Sequence, residues 1–192
     1  MSNGAIENEI KLRLKTADEG RRLLKSIGFD VARERVFEAN EIFDTPDGDL
    51  RKKESILRVR QSGDETVLTW KGPTVDGRHR ARPEEETTVG NGEALKNILR
   101  MTGFGRVFRY EKYRTEFRRG DSDLLVTLDE TPIGTFLELE GPPGEVDRIA
   151  HELGFQEQQY VTASYGKLYL DECARSGVVA GNMVFQATEE KS

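Results

Sequence analysis

Charged and apolar residues alternate with a period of two in segment after segment of this chain, and short stretches of helical spacing separate those segments. In residues 7–14, Glu7, Glu9, Lys11 and Arg13 share one face, while Ile10, Leu12 and Leu14 take the other. Taken alone, such a strand is either a solvated edge or one wall of a charged cavity, and the solvated edge is the ordinary case. Thr16 then opens a helix as N-cap with Glu19 completing a capping box; Leu23, Leu24 and Ile27 form its apolar stripe and Gly28 ends it. Alternation resumes over residues 31–44 and stops at the turn Thr45-Pro46-Asp47-Gly48. Leu50-Arg51-Lys52-Lys53 is a short basic segment, with Lys52 and Lys53 a solvated patch able at most to steer substrate. Residues 56–60 set Arg58 and Arg60 opposite Leu57 and Val59. After a turn at Ser62-Gly63-Asp64, Thr69 and Lys71 face away from Leu68 and Trp70.

Farther on, Arg80, Arg82, Glu84 and Glu86 stand in register, and Pro83 predicts an edge or a bulge because it cannot donate to a ladder. A helix from Asn91 or Gly92 presents Leu95, Ile98, Leu99 and Met101 and stops at Gly103. The strand 107–117 places Lys112, Arg114 and Glu116 on one face. Gly120-Asp121-Ser122-Asp123 turns into 124–130, where Thr127 and Asp129 oppose Val126 and Leu128. Residues 135–140 repeat the opening pattern with Glu138 and Glu140. A helix over 145–153 points Val146, Ile149 and Leu153 inward, and a last helix runs from about Thr162 to Cys173. Residues 177–192 have weak periodicity and read as a loosely attached tail beyond a domain of residues 1–176. Trp70, Phe136 and Leu137 read as packing residues under helices. His79 and His151 read as surface residues with no triad pattern around them.

The alternating segments make a sheet of about eight strands, mostly antiparallel because short turns or single helices join them. The apolar helix stripes must cover the apolar sheet face. The charged face then meets water if the sheet stays open, or lines a lumen if it closes into a barrel. A solvated sheet face normally mixes Thr, Gln, Ser and Lys with the charges, whereas the aligned positions here are almost all Glu, Asp, Arg or Lys. Lys11, Arg58, Arg60, Lys71, Arg82, Lys112 and Arg114 would converge on Glu7, Glu9, Glu84, Glu86, Asp129, Glu138 and Glu140. Uncompensated buried ions are costly, and a matching ligand has a polyanionic part for the cations and hard divalent metal for the carboxylates. A triphosphate with its metal meets both demands.

Composition narrows the field. The 192 residues suit one domain with a real core, and 35% hydrophobic residues with regular alternation argue against disorder. A net charge of -6 argues against binding a nucleic-acid polymer. The lone Cys173 excludes an intramolecular disulfide and a Cys-cluster metal site, which fits a reducing, cytoplasmic setting. No apolar run is long enough to span a bilayer and the N-terminus lacks the apolar segment of a signal peptide, so the expectation is a soluble protein with no membrane partner.

Glu7-x-Glu9-x-Lys11 resembles the ExExK signature of the CYTH superfamily, the triphosphate tunnel metalloenzymes. Further blocks follow in that family's order: Phe43-Asp44-Thr45-Pro46, Leu57-Arg58-Val59-Arg60, Thr69-Trp70-Lys71-Gly72, Arg82-Pro83-Glu84-Glu85-Glu86, Lys112-Tyr113-Arg114, Leu128-Asp129-Glu130, Phe136-Leu137-Glu138-Leu139-Glu140 and Ser164-Tyr165. The likeness spans residues 5 to about 170. It departs at Pro83, where many relatives carry an acid. The resemblance implies an α+β fold: an eight-stranded antiparallel β-barrel, the triphosphate tunnel, with helices packed outside. It implies Glu7, Glu9, Asp129, Glu138 and Glu140 as ligands of Mg²⁺ or Mn²⁺. It also implies Lys11, Arg58, Arg60, Lys71, Arg82, Lys112 and Arg114 as phosphate ligands, and Glu7, Glu9, Lys11, Glu86 and Asp129 as the catalytic set; Arg13 and Arg80 share the phase. The expected reaction is hydrolysis of tripolyphosphate, ATP or another nucleoside triphosphate, or thiamine triphosphate. The alternatives are a class IV adenylyl cyclase making cyclic AMP and pyrophosphate, and a non-catalytic polyphosphate-binding module. Assembly as a homodimer is compatible with all three.

Overall fold

Every alternating segment forms a strand, and the charged faces turn inward. The computed structural model describes residues 5–75, 77–120 and 122–186; Asp121 of the expected turn and residues 187–192 of the expected tail lie outside them. The strands are β1 Ala5–Leu14, β2 Asp30–Asp44, β3 Ile56–Ser62, β4 Glu65–Lys71, β5 Arg80–Val89, β6 Gly105–Arg118, β7 Leu125–Thr131, β8 Gly134–Glu140 and the short β9 Tyr160–Val161. The helices are α1 Ala17–Ser26, α2 Asp49–Lys52, α3 Gly92–Met101, α4 Pro143–Glu152 and α5 Tyr165–Ser176. Strand order is β5-β4-β3-β2-β6-β7-β8-β1, and β1 pairs back onto β5, so the sheet closes into an eight-stranded antiparallel barrel. Closure uses both edges of β1. Ala5 to Glu9 pair with Glu84 to Arg80, and Glu9 to Leu14 pair with Glu140 to Thr135 on the other side. Strand β9 joins β1 at Lys11 and Leu12, where β5 has left it.

The core lies outside the barrel wall. Ile10, Leu12 and Leu14 of β1, Leu128 of β7, and Leu137 and Leu139 of β8 pack beneath Leu24 of α1 and Val146 and Ile149 of α4. Full burial of each such side chain stabilises by about 1.5–3 kcal/mol. A second cluster sets Phe43 and Val59 against Leu99 of α3. The helix signals act as read: Thr16 accepts from Glu19 N–H and Asn91 from Ala94 N–H. The carboxylate of Glu19 reaches Lys15 N–H, one residue before the cap.

Several expectations are corrected. The last helix starts at Tyr165, capped by Ser164, because residues 160–161 are held extended against β1. The basic segment after Gly48 is a helical turn, α2, whose Leu50 and Arg51 N–H groups donate to Asp44. Trp70 is not buried beneath a helix but 38% exposed, its ring beside Gly72 and Pro83 at the end of β4. His79 is buried and bonds Asp147 of α4 through Nε2 at 2.8 Å. Pro83 lies neither at a sheet edge nor at a bulge: its carbonyl accepts from Gly72 N–H, so its nitrogen faces the chain just past the end of β4, where the ladder needs no donor. In the segment after α5, the stretch around Met183 is docked. Met183 N–H donates to Arg109 O, Glu111 N–H donates to Met183 O, and the Met183 side chain is buried against Phe136 and Tyr165.

Candidate active site: a charged tunnel

Period-two geometry carries charged positions of six barrel strands to one cavity of about 1310 Å³. Glu7, Glu9 and Lys11 come from β1, Arg58 and Arg60 from β3, and Lys71 from β4. Arg80 and Arg82 come from β5, Lys112 and Arg114 from β6, and Glu138 and Glu140 from β8. Of the expected residues, Asp129 alone is sealed behind the wall, fully buried. Its carboxylate accepts from Lys112 Nζ at 2.9 Å, Arg114 Nε at 2.7 Å and Tyr165 Oη at 2.8 Å. Glu86 borders the cavity with a side chain 48% exposed, 3.9 Å from Arg60. Arg13 leaves the lining: it stacks on Phe136 and donates to Ile133 O, whereas Arg80 reaches Glu9 at 3.0 Å.

Acids and bases pair along the lumen wall, within a strand, between neighbouring strands or past one intervening strand. Lys11 Nζ lies 2.9 Å from Glu9 and 3.0 Å from Glu138, and Glu138 also pairs with Arg114. Lys71 Nζ lies 2.6 Å from Glu7 and 2.8 Å from Glu84. Burial opposes the charge of Glu138, yet Lys11 and Arg114 hold it well below the usual carboxylate range. Glu9 is shifted up: burial, with the charges of Glu138 and Glu7, outweighs Lys11. Burial, then the neighbouring carboxylates Glu7 and Glu138, push Glu140 up to about 7.

This crowding bears on metal. Glu9 and Glu140 are cross-strand partners, and Glu138 stands opposite Lys11 in the same ladder. Glu9 and Glu140, which hold their protons more tightly for want of positive charge, are hard oxygen donors, and the neighbouring carboxylates of Glu7 and Glu138 complete a set that fits a hard divalent cation. Asp129 fits less well, since each ligand bond would displace Lys112, Arg114 or Tyr165. Among the described residues no three Asp, Glu, His or Cys side chains stand as a ready chelate. Lys11 and Lys71 draw the carboxylates aside.

Sequence reading missed Glu38, Asn40 and Tyr110, and named Tyr165 only within the block Ser164-Tyr165, without a role. Glu38 and Asn40 of β2 face inward with Ile42, but Glu41 beside them blurs the alternation. Tyr110 bonds Arg58 and lines the cavity. Tyr165, on the first turn of α5, places its ring 5.2 Å from Lys11 Nζ and 5.4 Å from Lys112 Nζ, an approach no local pattern encodes.

Comparison with known proteins agrees with this architecture. A candidate adenylate cyclase of Methanocaldococcus jannaschii is 28% identical over 151 residues, covering 77% of this chain and 85% of that protein. The crystal structure of a candidate adenylate cyclase from Vibrio parahaemolyticus superposes with a TM-score of 0.76 at 22% identity, covering 86% of this chain and 98% of that one. A Hippeastrum protein, described as a candidate adenylyl cyclase that reveals a dominant triphosphatase activity, has a TM-score of 0.62 at 21% identity, covering 91% and 97%. No helix among the described residues is long and apolar enough to cross a membrane. The CYTH domain profile matches residues 5–165, and with the closed charged barrel this makes the chain a member of the CYTH domain family.

Proposed function

We propose that the tunnel binds a triphosphate together with Mg²⁺ or Mn²⁺ and hydrolyses it, the substrate being tripolyphosphate, a nucleoside triphosphate or thiamine triphosphate. The observation that carries this reading is the shared cavity: lysines and arginines and a crowded carboxylate cluster line one space inside the barrel. Arg58, Arg60, Lys71, Arg82, Lys112 and Arg114 would grip the phosphate oxygens, the arginines as forks and the lysines as point charges. Phosphate arriving at Lys11 and Lys71 competes with Glu7, Glu9 and Glu138 for those ammonium groups and releases the carboxylates towards the cation. Glu7, Glu9, Glu138 and Glu140 would hold that cation, which supplies charge neutralisation and an acidified water. Asp129 would fix Lys112 and Arg114 from behind, holding them in place for the phosphate. The free Cys173 is in keeping with a cytoplasmic setting.

The names of the Methanocaldococcus and Vibrio proteins favour a second reading, cyclisation of ATP to cyclic AMP and pyrophosphate. The same phosphate grip serves both reactions. Product analysis separates them: with Mg²⁺ or Mn²⁺, phosphate release from tripolyphosphate and ATP is expected to dominate, and cyclic AMP as the main product would reverse the order. Glu138→Gln is expected to abolish turnover, by a factor of at least about 10², while tripolyphosphate still binds. Tight tripolyphosphate binding by the unmodified protein without metal-dependent turnover would leave a binding module.

A further inference from the structure

Glu38 has no part in the grip described above, and it lies where the cations are densest. On β2 it stands opposite Lys112 of β6, and Asn40, two residues on, stands between Arg60 of β3 and Tyr110 of β6. Glu38 is 1% exposed; its Oε2 makes no hydrogen bond and lies 3.6 Å from Lys112 Nζ. Burial opposes its charge, yet Lys112, Arg114, Arg60 and Arg58 together hold its carboxyl down at about 2, so it is ionised throughout the neutral range. Asn40 is fully buried, and neither atom of its amide bonds a protein group. The Nε atoms of Arg58 and Arg60 are likewise without a hydrogen bond.

A carboxylate that serves as an anchor bonds its cation closely, as Asp129 does with Lys112 at 2.9 Å and Arg114 at 2.7 Å. Glu38 stays farther off, behind the same wall, and lowers the positive potential that the wall presents to an incoming polyanion. We propose that Glu38 is a built-in counter-anion that limits how tightly Arg58, Arg60, Lys112 and Arg114 hold phosphate, and so lets the polyanionic product leave. The proposal rests on the triphosphate reading of the tunnel. A unit charge at this range inside a protein changes the affinity for an anion by about tenfold or more.

Calorimetric titration of tripolyphosphate and pyrophosphate, with chelator and no metal, tests it on the full chain and two isosteric variants of opposite sign. Glu38→Gln is expected to tighten both anions by about tenfold or more. Asn40→Asp, which adds a carboxylate to the same stretch of wall, is expected to weaken them by a similar factor. In turnover with metal, Glu38→Gln is expected to lower KM and kcat together as product release slows. A merely structural role would weaken binding in both variants. Unchanged or weaker binding by folded Glu38→Gln overturns the proposal. If that variant does not fold, Asn40→Asp decides: unchanged or tighter binding overturns it. An unmodified chain that fails to bind tripolyphosphate overturns the triphosphate reading itself, and this proposal with it.

Discussion

Glu138 and Glu140 lie two residues apart on one strand and titrate in opposite directions. Lys11 and Arg114 hold Glu138 ionised against its burial, whereas burial and the neighbouring carboxylates push Glu140 up to about 7. The sign of the consequence follows by linkage. Between the ordinary value of 4.5 and about 7, the folded chain binds a proton at Glu140 that the unfolded chain has released. Metal-free protein should therefore lose stability as pH rises through that window, by about 3 kcal/mol at most from this group. Denaturant titrations with chelator at pH 5 and pH 8 check this, and Glu140→Gln should flatten the difference. Binding of Mn²⁺ with tripolyphosphate should release a proton near pH 6.5, seen as a buffer-dependent heat. At this scale the sequence was largely legible: a period of two placed Glu7, Glu9, Lys11 and their counterparts on one face. Which acid is sealed away, as Asp129 is, depends on Tyr165, Lys112 and Arg114 arriving from other elements.

Among the elements, local signals predicted what local physics governs. Thr16 and Asn91 cap helices, and Gly28 and Gly103 follow helix ends with φ of 81° and 93°, values that suit glycine. The segment after α5 escaped because its order comes from distant partners. Residues 182–185 carry no repeating pattern, yet Met183 is 1% exposed and its backbone is paired with Arg109 and Glu111. Met183→Ala should cost about 2–5 kcal/mol in chemical denaturation, as deletion of a buried side chain does. A change below about 0.5 kcal/mol would mean that the segment is not docked in solution. The start of α5 was misplaced for a related reason: Tyr160 and Val161 pair with β1, so the chain stays extended until Ser164 can cap it.

For the whole molecule, closure of the barrel turns scattered charges into one site. The lumen sets like charges side by side, and a ligand that offsets them should stabilise the folded chain. Tripolyphosphate at 100 times its dissociation constant should add about 2.7 kcal/mol, a rise in Tm on the order of 5–10 °C in a thermal melt. Failure to shift the melt would argue against polyanion binding. The sequence by itself determined the two-faced strands, the helix stripes and the order of charged blocks, because these depend only on backbone periodicity and side-chain chemistry. Tertiary structure alone decided that β1 meets β5, that Glu38 and Asn40 join the cationic wall, and that Tyr165 and Met183 close over Phe136. Those contacts join residues far apart in the chain, so periodicity and capping signals, which act over a few residues, do not carry them.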